Sequence, residues 1–149
     1  MNYRVLEPNE LETLLPLARE FHENEVLTSW CSFNEEVWLS SWLSLVDKGS
    51  AFILISEDDS GITGAIGGML YPDVNDGVLV SQESFWFVAK DKRGGGPALL
   101  REYEELASLL GAKRSIMNHL ADDRAPNTAR FYERAGYHPL ESSYYKELA

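Results

Sequence analysis

Cysteine is nearly missing from this chain. Cys31 stands alone among 149 residues, which excludes an internal disulfide and any metal site built from several thiolates. Long apolar runs are missing as well. None approaches the ~20 residues needed to cross a bilayer, and Met1-Asn2-Tyr3-Arg4-Val5 has no apolar stretch of the kind that directs secretion. Cytoplasmic residence is the expectation. Basic side chains are scarce, 13 Lys and Arg against 24 Asp and Glu for a net charge of −11. That balance argues against nucleic acid or an anionic membrane as a partner and suits a cationic one. There is no internal repeat and no low-complexity tract. What is present is ordinary for a globular protein, 44% hydrophobic and 25% charged, and the length suits one domain with a proper core, so residues 1–149 are read as a single domain.

The few basic residues are unevenly placed. Residues 1–89 carry three of them (Arg4, Arg19, Lys48) against fifteen acidic side chains, while residues 90–149 carry ten against nine. Lys90, Lys92, Arg93 and Arg101 gather around Gly94-Gly95-Gly96-Pro97. Before that turn, Ser84-Phe85-Trp86-Phe87-Val88-Ala89 has the short aromatic and β-branched character of a buried strand. After it, Leu99, Leu100, Tyr103, Leu106, Ala107 and Leu110 recur at helical spacing up to Gly111. Strand, glycine turn and helix together aim free backbone N–H groups and a positive helix end at one point, where an anion can bind. A plain surface turn is the competing reading; the local positive charge favours a phosphate site. The Lys-Ser or Lys-Thr pair of a nucleotide-hydrolase loop is replaced by Pro97-Ala98, and a dinucleotide fold has too little chain left after this turn.

Elsewhere the pattern predicts a strand at Tyr3–Leu6, then a helix capped by Asn9 that Pro16 kinks or splits. A loop follows at 23–33, and a second helix runs from Asn34 to about Lys48. Ala51–Ser56 and Thr63–Tyr71 form a hairpin in which Gly64, Gly67 and Gly68 mark a bulge or tight packing. Val78–Ala89 is the central strand and Arg114–Leu120 a fifth. Pro126 opens a short helix that ends at Gly136, and Tyr137–Leu140 and Ser143–Leu148 close the chain as strands.

Two stretches resemble a known family. Arg93-Gly94-Gly95-Gly96-Pro97-Ala98 is similar to the R/Q-x-x-G-x-G/A motif of the GNAT acetyltransferase superfamily, and Phe131-Tyr132-Glu133-Arg134-Ala135-Gly136-Tyr137 resembles its F-Y-x-x-x-G-F helix ending. The resemblance implies an α+β GNAT fold: a central mixed, mostly antiparallel sheet of six to seven strands, about four flanking helices, and fourth and fifth strands that splay apart. It implies acetyl-CoA as cofactor, its pantetheine arm paired along Phe87-Val88-Ala89 and its pyrophosphate on the amides of Arg93, Gly94, Gly95, Gly96 and Ala98. Pro97 departs from the family's usual aliphatic residue and has no N–H to offer. Asn127 lies two positions beyond the family's asparagine, whose place Ala125 holds, and is kept as a cofactor contact or helix cap.

Acetyl transfer to an amine requires a base for the amine proton, a donor at the thioester carbonyl and an acid for the departing thiolate. By resemblance, Tyr132 is the acid; otherwise it is an apolar-face residue packed beside Phe131. Glu83, ten positions before Arg93, is the candidate base, raised in pKa if the strand buries it and a solvated carboxylate if not. Ordered water is the alternative base, and His119 faces the same cleft if its strand phase allows. The Val88 or Ala89 amide would polarise the carbonyl. The acceptor walls expected of the fold include Glu23, Glu25, Glu35, Glu36 and Glu141 with Trp30, Trp38, Tyr144 and Tyr145, a set suited to a cationic primary amine. A non-catalytic acyl-CoA-binding or protein-interaction module of the same fold, or an acidic adaptor, stays open, and the broad apolar face of the Trp38–Trp42 helix leaves a homodimer open.

Overall fold

A computed structural model describes all residues, 1–149. Five strands lie in the order of the chain: β1 (Asn2–Val5), β2 (Ala51–Asp58), β3 (Gly61–Pro72), β4 (Leu79–Val88) and β5 (Arg114–Ile116). The first three pairings are antiparallel and the last is parallel. A short 3-10 turn (Pro8–Leu14) leads into α1 (Leu15–His22), followed by α2 (Glu25–Trp30), α3 (Glu35–Asp47), α4 (Gly96–Leu109) and α5 (Ala125–Arg134). None of these helices is long and apolar enough to cross a membrane.

The two-residue period of β2 sorts the core into two layers. Ile53 and Ile55 face one way, with Leu11, Leu14, Trp42, Phe85 and Phe87, under the 3-10 turn and α3. Phe52 and Leu54 face the other way, with Ile66, Leu99, Leu100, Tyr103 and Tyr132, under α4 and α5. Large side chains reach the sheet where β3 has none. A Cβ on Gly67 would stand 2.5 Å from the Phe85 ring, and one on Gly68 would stand 2.3 Å from the Tyr103 hydroxyl. That hydroxyl is fully buried and bonded to Ser81 Oγ at 2.6 Å, so it has nowhere to move. Gly68→Ala is therefore expected to destabilise the fold by about 1–3 kcal/mol, read as a lower Tm in a thermal melt.

The glycines of β3 thus serve tight packing, and the irregularity itself sits in β4. Gly67 pairs with Phe85 but Gly68 pairs with Glu83, which leaves Ser84 as an extra residue. A bulge of one residue reverses the phase of a strand. Without it, Glu83 would share a face with Phe85 and point into the aromatic layer; with it, Glu83 lies on the α4–α5 side beside Tyr103 and Tyr132.

Several expectations need correction. Pro16 does split the first helix, because a proline fits only the first turn of an α-helix and α1 begins at Leu15. The loop expected at 23–33 contains α2, which Asn24 caps by accepting from the Val26 N–H at 2.9 Å. The fifth strand stops at Ile116, well before Leu120. The closing strands do not form, so the sheet has five strands where six to seven were expected, and five helices flank it. No main-chain hydrogen bond involves residues 138–149, all of them exposed. Strands need a partner edge, and three residues of β5 offer little of one, while Pro139 removes a donor from the approaching chain.

Candidate active site

β4 and β5 stay paired only from Val80–Arg114 to Gln82–Ile116. Beyond that the strands diverge, and a cleft of about 760 Å³ opens between them, walled by α1, the residues after β5, α5 and the turn before α4. Along its β4 wall, one amide is spent and the next is free. The Ala89 N–H donates to Thr63 O at 2.8 Å. Successive amides of an antiparallel strand point to opposite sides, so the Val88 N–H faces the cleft. Of the two amides considered for the carbonyl, Ala89 is thereby corrected: its donor belongs to the sheet.

At the far end of this wall the chain turns through Lys90–Lys92 and the glycines into α4. Gly94 takes φ 110°, a conformation open to glycine and strained for other residues. The Gly95 amide makes a long bond to Lys92 O at 3.4 Å, whereas those of Arg93, Gly94, Gly96 and Ala98 bond to no acceptor in the protein. The surrounding charge is less free than the sequence implies. Lys92 is held by Asp58 at 2.9 Å and Lys90 lies 3.8 Å from Glu20, while Arg93 makes no ion pair and lines the cleft. Asn127 also lines it, in the first turn of α5, where its Oδ1 accepts from Arg130; the cap position belongs to Arg124. Ala89, Gly95 and Ala98 are absent from the cleft lining itself.

Glu83 sits at the vertex of the splay, 7% exposed. Burial pushes its carboxyl up to about 7, opposed by hydrogen bonds from Asn118. Tyr132, also 7% exposed, projects from α5 and donates its hydroxyl proton to Asn118 O at 2.7 Å. Burial first, and the nearby Glu83 charge second, push the phenol well above its ordinary value, so it stays protonated. The structure thus brings Glu83, Tyr132, the Val88 amide and the loop amides to one cleft. His119 reaches its rim, exposed, with its ring bonded to Leu120 O.

The expected acceptor wall is mostly elsewhere. Of its members only Glu23 lines the cleft. Glu35 is paired with Arg19, Trp38 packs against Phe85 and Trp42, and Tyr144 is exposed on the irregular tail while Tyr145 meets Trp30 edge-on. The carboxylates on the rim are Glu20, Glu23 and Asp122, beside the apolar Leu17, Phe21 and Leu27. Asn24 Nδ2 reaches Asp122 at 3.0 Å and ties the α1–α2 connection to the loop before α5. Sequence reasoning missed Glu20, Asn24, Asn118 and Asp122. The stripe of α1 could have pointed to Glu20; nothing local marks Asn118.

No family model and no curated protein matches the sequence. Solved structures match its fold. A ribosomal-protein-alanine N-acetyltransferase from Brucella melitensis biovar Abortus 2308 is 17% identical, with 99% of this chain and 100% of that chain covered at a TM-score of 0.75. An acetyltransferase of Trypanosoma brucei is 22% identical, with 99% of each chain covered at a TM-score of 0.72. An aminoglycoside acetyltransferase from an uncultured soil metagenomic sample, solved in complex with sisomicin, is 15% identical, with 99% and 96% covered at a TM-score of 0.74.

Proposed function

With the fold of the GNAT N-acetyltransferases as its scaffold, we propose that this chain transfers an acetyl group from acetyl-CoA to a cationic primary amine. One observation carries the reading. Unpaired main-chain donors converge on a single cleft, Val88 on its strand wall and Arg93, Gly94 and Gly96 at the turn into α4. Free donors along a strand edge and at a helix N-terminus, aimed into the same cleft, suit a ligand that carries both amide and anionic groups.

The residues present fit the cofactor. The loop amides with Arg93 would hold the diphosphate, the free edge of β4 would pair with the pantetheine amides, and Asn127 would line the arm. When bound, acetyl-CoA supplies an acetyl group on an activated thioester. The Val88 N–H is then the donor at the carbonyl oxygen, where negative charge develops. Glu83 takes the proton from the amine nitrogen; with its carboxyl near 7, it is ionised in about half the molecules at neutral pH. Tyr132 holds its proton on Oη, and that proton, given to Asn118 O at 2.7 Å in the free chain, would turn to the leaving sulfur as charge develops there. Its raised pKa makes outright transfer to a thiolate, whose ordinary pKa is about 8.5, unfavourable, so stabilisation of the sulfur charge is its main contribution. Glu20, Glu23 and Asp122 on the rim attract a positively charged acceptor.

A coupled thiol-release assay over a panel of amines tests the proposal, with isothermal titration for acetyl-CoA. Release with any amine supports transfer. Binding without release returns the non-catalytic acyl-CoA module, and absence of binding at millimolar cofactor sinks both. Tyr132→Phe keeps the ring packing and removes the hydroxyl, so kcat is expected to fall about a hundredfold with little change in Kd for the cofactor. An unaffected kcat would make Tyr132 a core residue only.

A further inference from the structure

Past the last ladder pair, Gln82–Ile116, the hydrogen-bonded link between β4 and β5 is one residue. Asn118 Nδ2 donates to the main-chain O of Glu83 at 2.8 Å. Its main-chain N–H donates to Glu83 Oε2 at 3.2 Å. Its main-chain O accepts from the Tyr132 hydroxyl at 2.7 Å. The last two are the hydrogen bonds that the Glu83 and Tyr132 side chains make within the protein, and both run to the same residue.

We propose that Asn118 is the positioning residue of the site: its side-chain amide pins the vertex of the splay, and its own N–H and C=O then set where Glu83 and Tyr132 stand on opposite walls of the cleft. The proposal rests on the acetyltransferase reading for its kinetic half and on geometry alone for the rest. The side chain acts through Glu83 and Tyr132 and not on the reacting atoms. Its amide satisfies the Glu83 carbonyl at the point where the sheet ceases to do so, a buried acceptor that would otherwise draw water or let β5 drift. Drift at this point would move both walls together, because one residue's N–H and C=O serve the two groups. The same N–H favours the charged carboxylate, which no cation offsets; the titratable groups packed against Glu83 are Tyr103 from α4 and Tyr132 from α5.

Asn118→Ala removes the pin but keeps the main-chain N–H and C=O, which are then free to drift from Glu83 and Tyr132. Carboxyl NMR on the protein without cofactor follows the titration of Glu83, and its midpoint is expected to move up by about one unit. In thiol release, kcat should fall at least about tenfold, while the Kd for acetyl-CoA, read by tryptophan fluorescence, stays within about twofold. Should Asn118→Ala fail to fold, Asn118→Leu keeps the bulk without the donor and carries the same readings. A Glu83 midpoint that stays put in a folded variant overturns the proposal, whatever the turnover. So does a Kd that worsens in step with kcat, since the whole cleft would then have loosened. A moved midpoint in a protein whose wild type turns over no amine upholds the Asn118–Glu83 coupling and removes the enzymatic reading instead.

Discussion

Glu83→Gln is expected to lower kcat by about a hundredfold or more and, above pH 7, to make the folded chain more stable. The first effect follows from losing a general base. The second follows from burial. The folded carboxyl titrates near 7, above the ordinary carboxylate value of 4.5. Below pH 4.5 the group is protonated in both folded and unfolded chains and carries no penalty. Between 4.5 and 7 the unfolded chain ionises while the folded one resists, so stability falls as pH rises, by about 3 kcal/mol in all. Glutamine has no charge to bury and keeps an oxygen for the Asn118 N–H. Melts at pH 8 should therefore show a higher Tm for the variant, and melts at pH 4 no difference. The wild-type kcat should rise through about pH 7, as Glu83 ionises. Full turnover by the variant with the same pH profile would assign the proton to an ordered water.

Val88→Pro and Ala89→Pro should part company, though they are neighbours. Proline removes an N–H at either position. At Ala89 that N–H is bonded to Thr63 O at 2.8 Å, so its loss breaks the sheet and is expected to destabilise the fold by about 3 kcal/mol or more. At Val88 the N–H faces the cleft, where β4 is an edge strand and proline is tolerated. The expected result is a folded protein with kcat down about a hundred- to a thousandfold, the loss typical of one missing carbonyl donor. Circular dichroism separates the two variants, and thiol release measures the second. A folded, fully active Val88→Pro protein would show that the amide plays no part in the chemistry.

Much of the site is legible in the sequence because it is local. Gly94-Gly95-Gly96 between a strand pattern and a helix pattern specifies its own turn, and the amides it exposes belong to consecutive residues. Phe131 and Tyr132 likewise sit on one short helix whose ends Pro126 and Gly136 mark. Asn118 was not legible, since its role depends on where β5 leaves β4, and that is a property of two strands. The acceptor rim was misassigned for a related reason. Glu25, Glu35 and Glu36 have the right charge and the right segment of chain, but helix phase turns Glu35 onto Arg19 and leaves the cleft to Glu20, Glu23 and Asp122.

By itself, then, the order of residues determined what depends on periodicity and on contiguous backbone: the strands β1 to β4, the helices α3 to α5, and a glycine turn with free donors at the start of α4. The fold as a whole decided the side of the sheet on which Glu83 stands, because the bulge at Ser84 reverses strand phase only against its partner β3. It also decided that Val88 has a free amide and Ala89 does not, since an N–H is spent or spare according to the strand beside it. The closing strands failed for the same cause: a β-pattern states a preference, and only a paired edge turns it into structure.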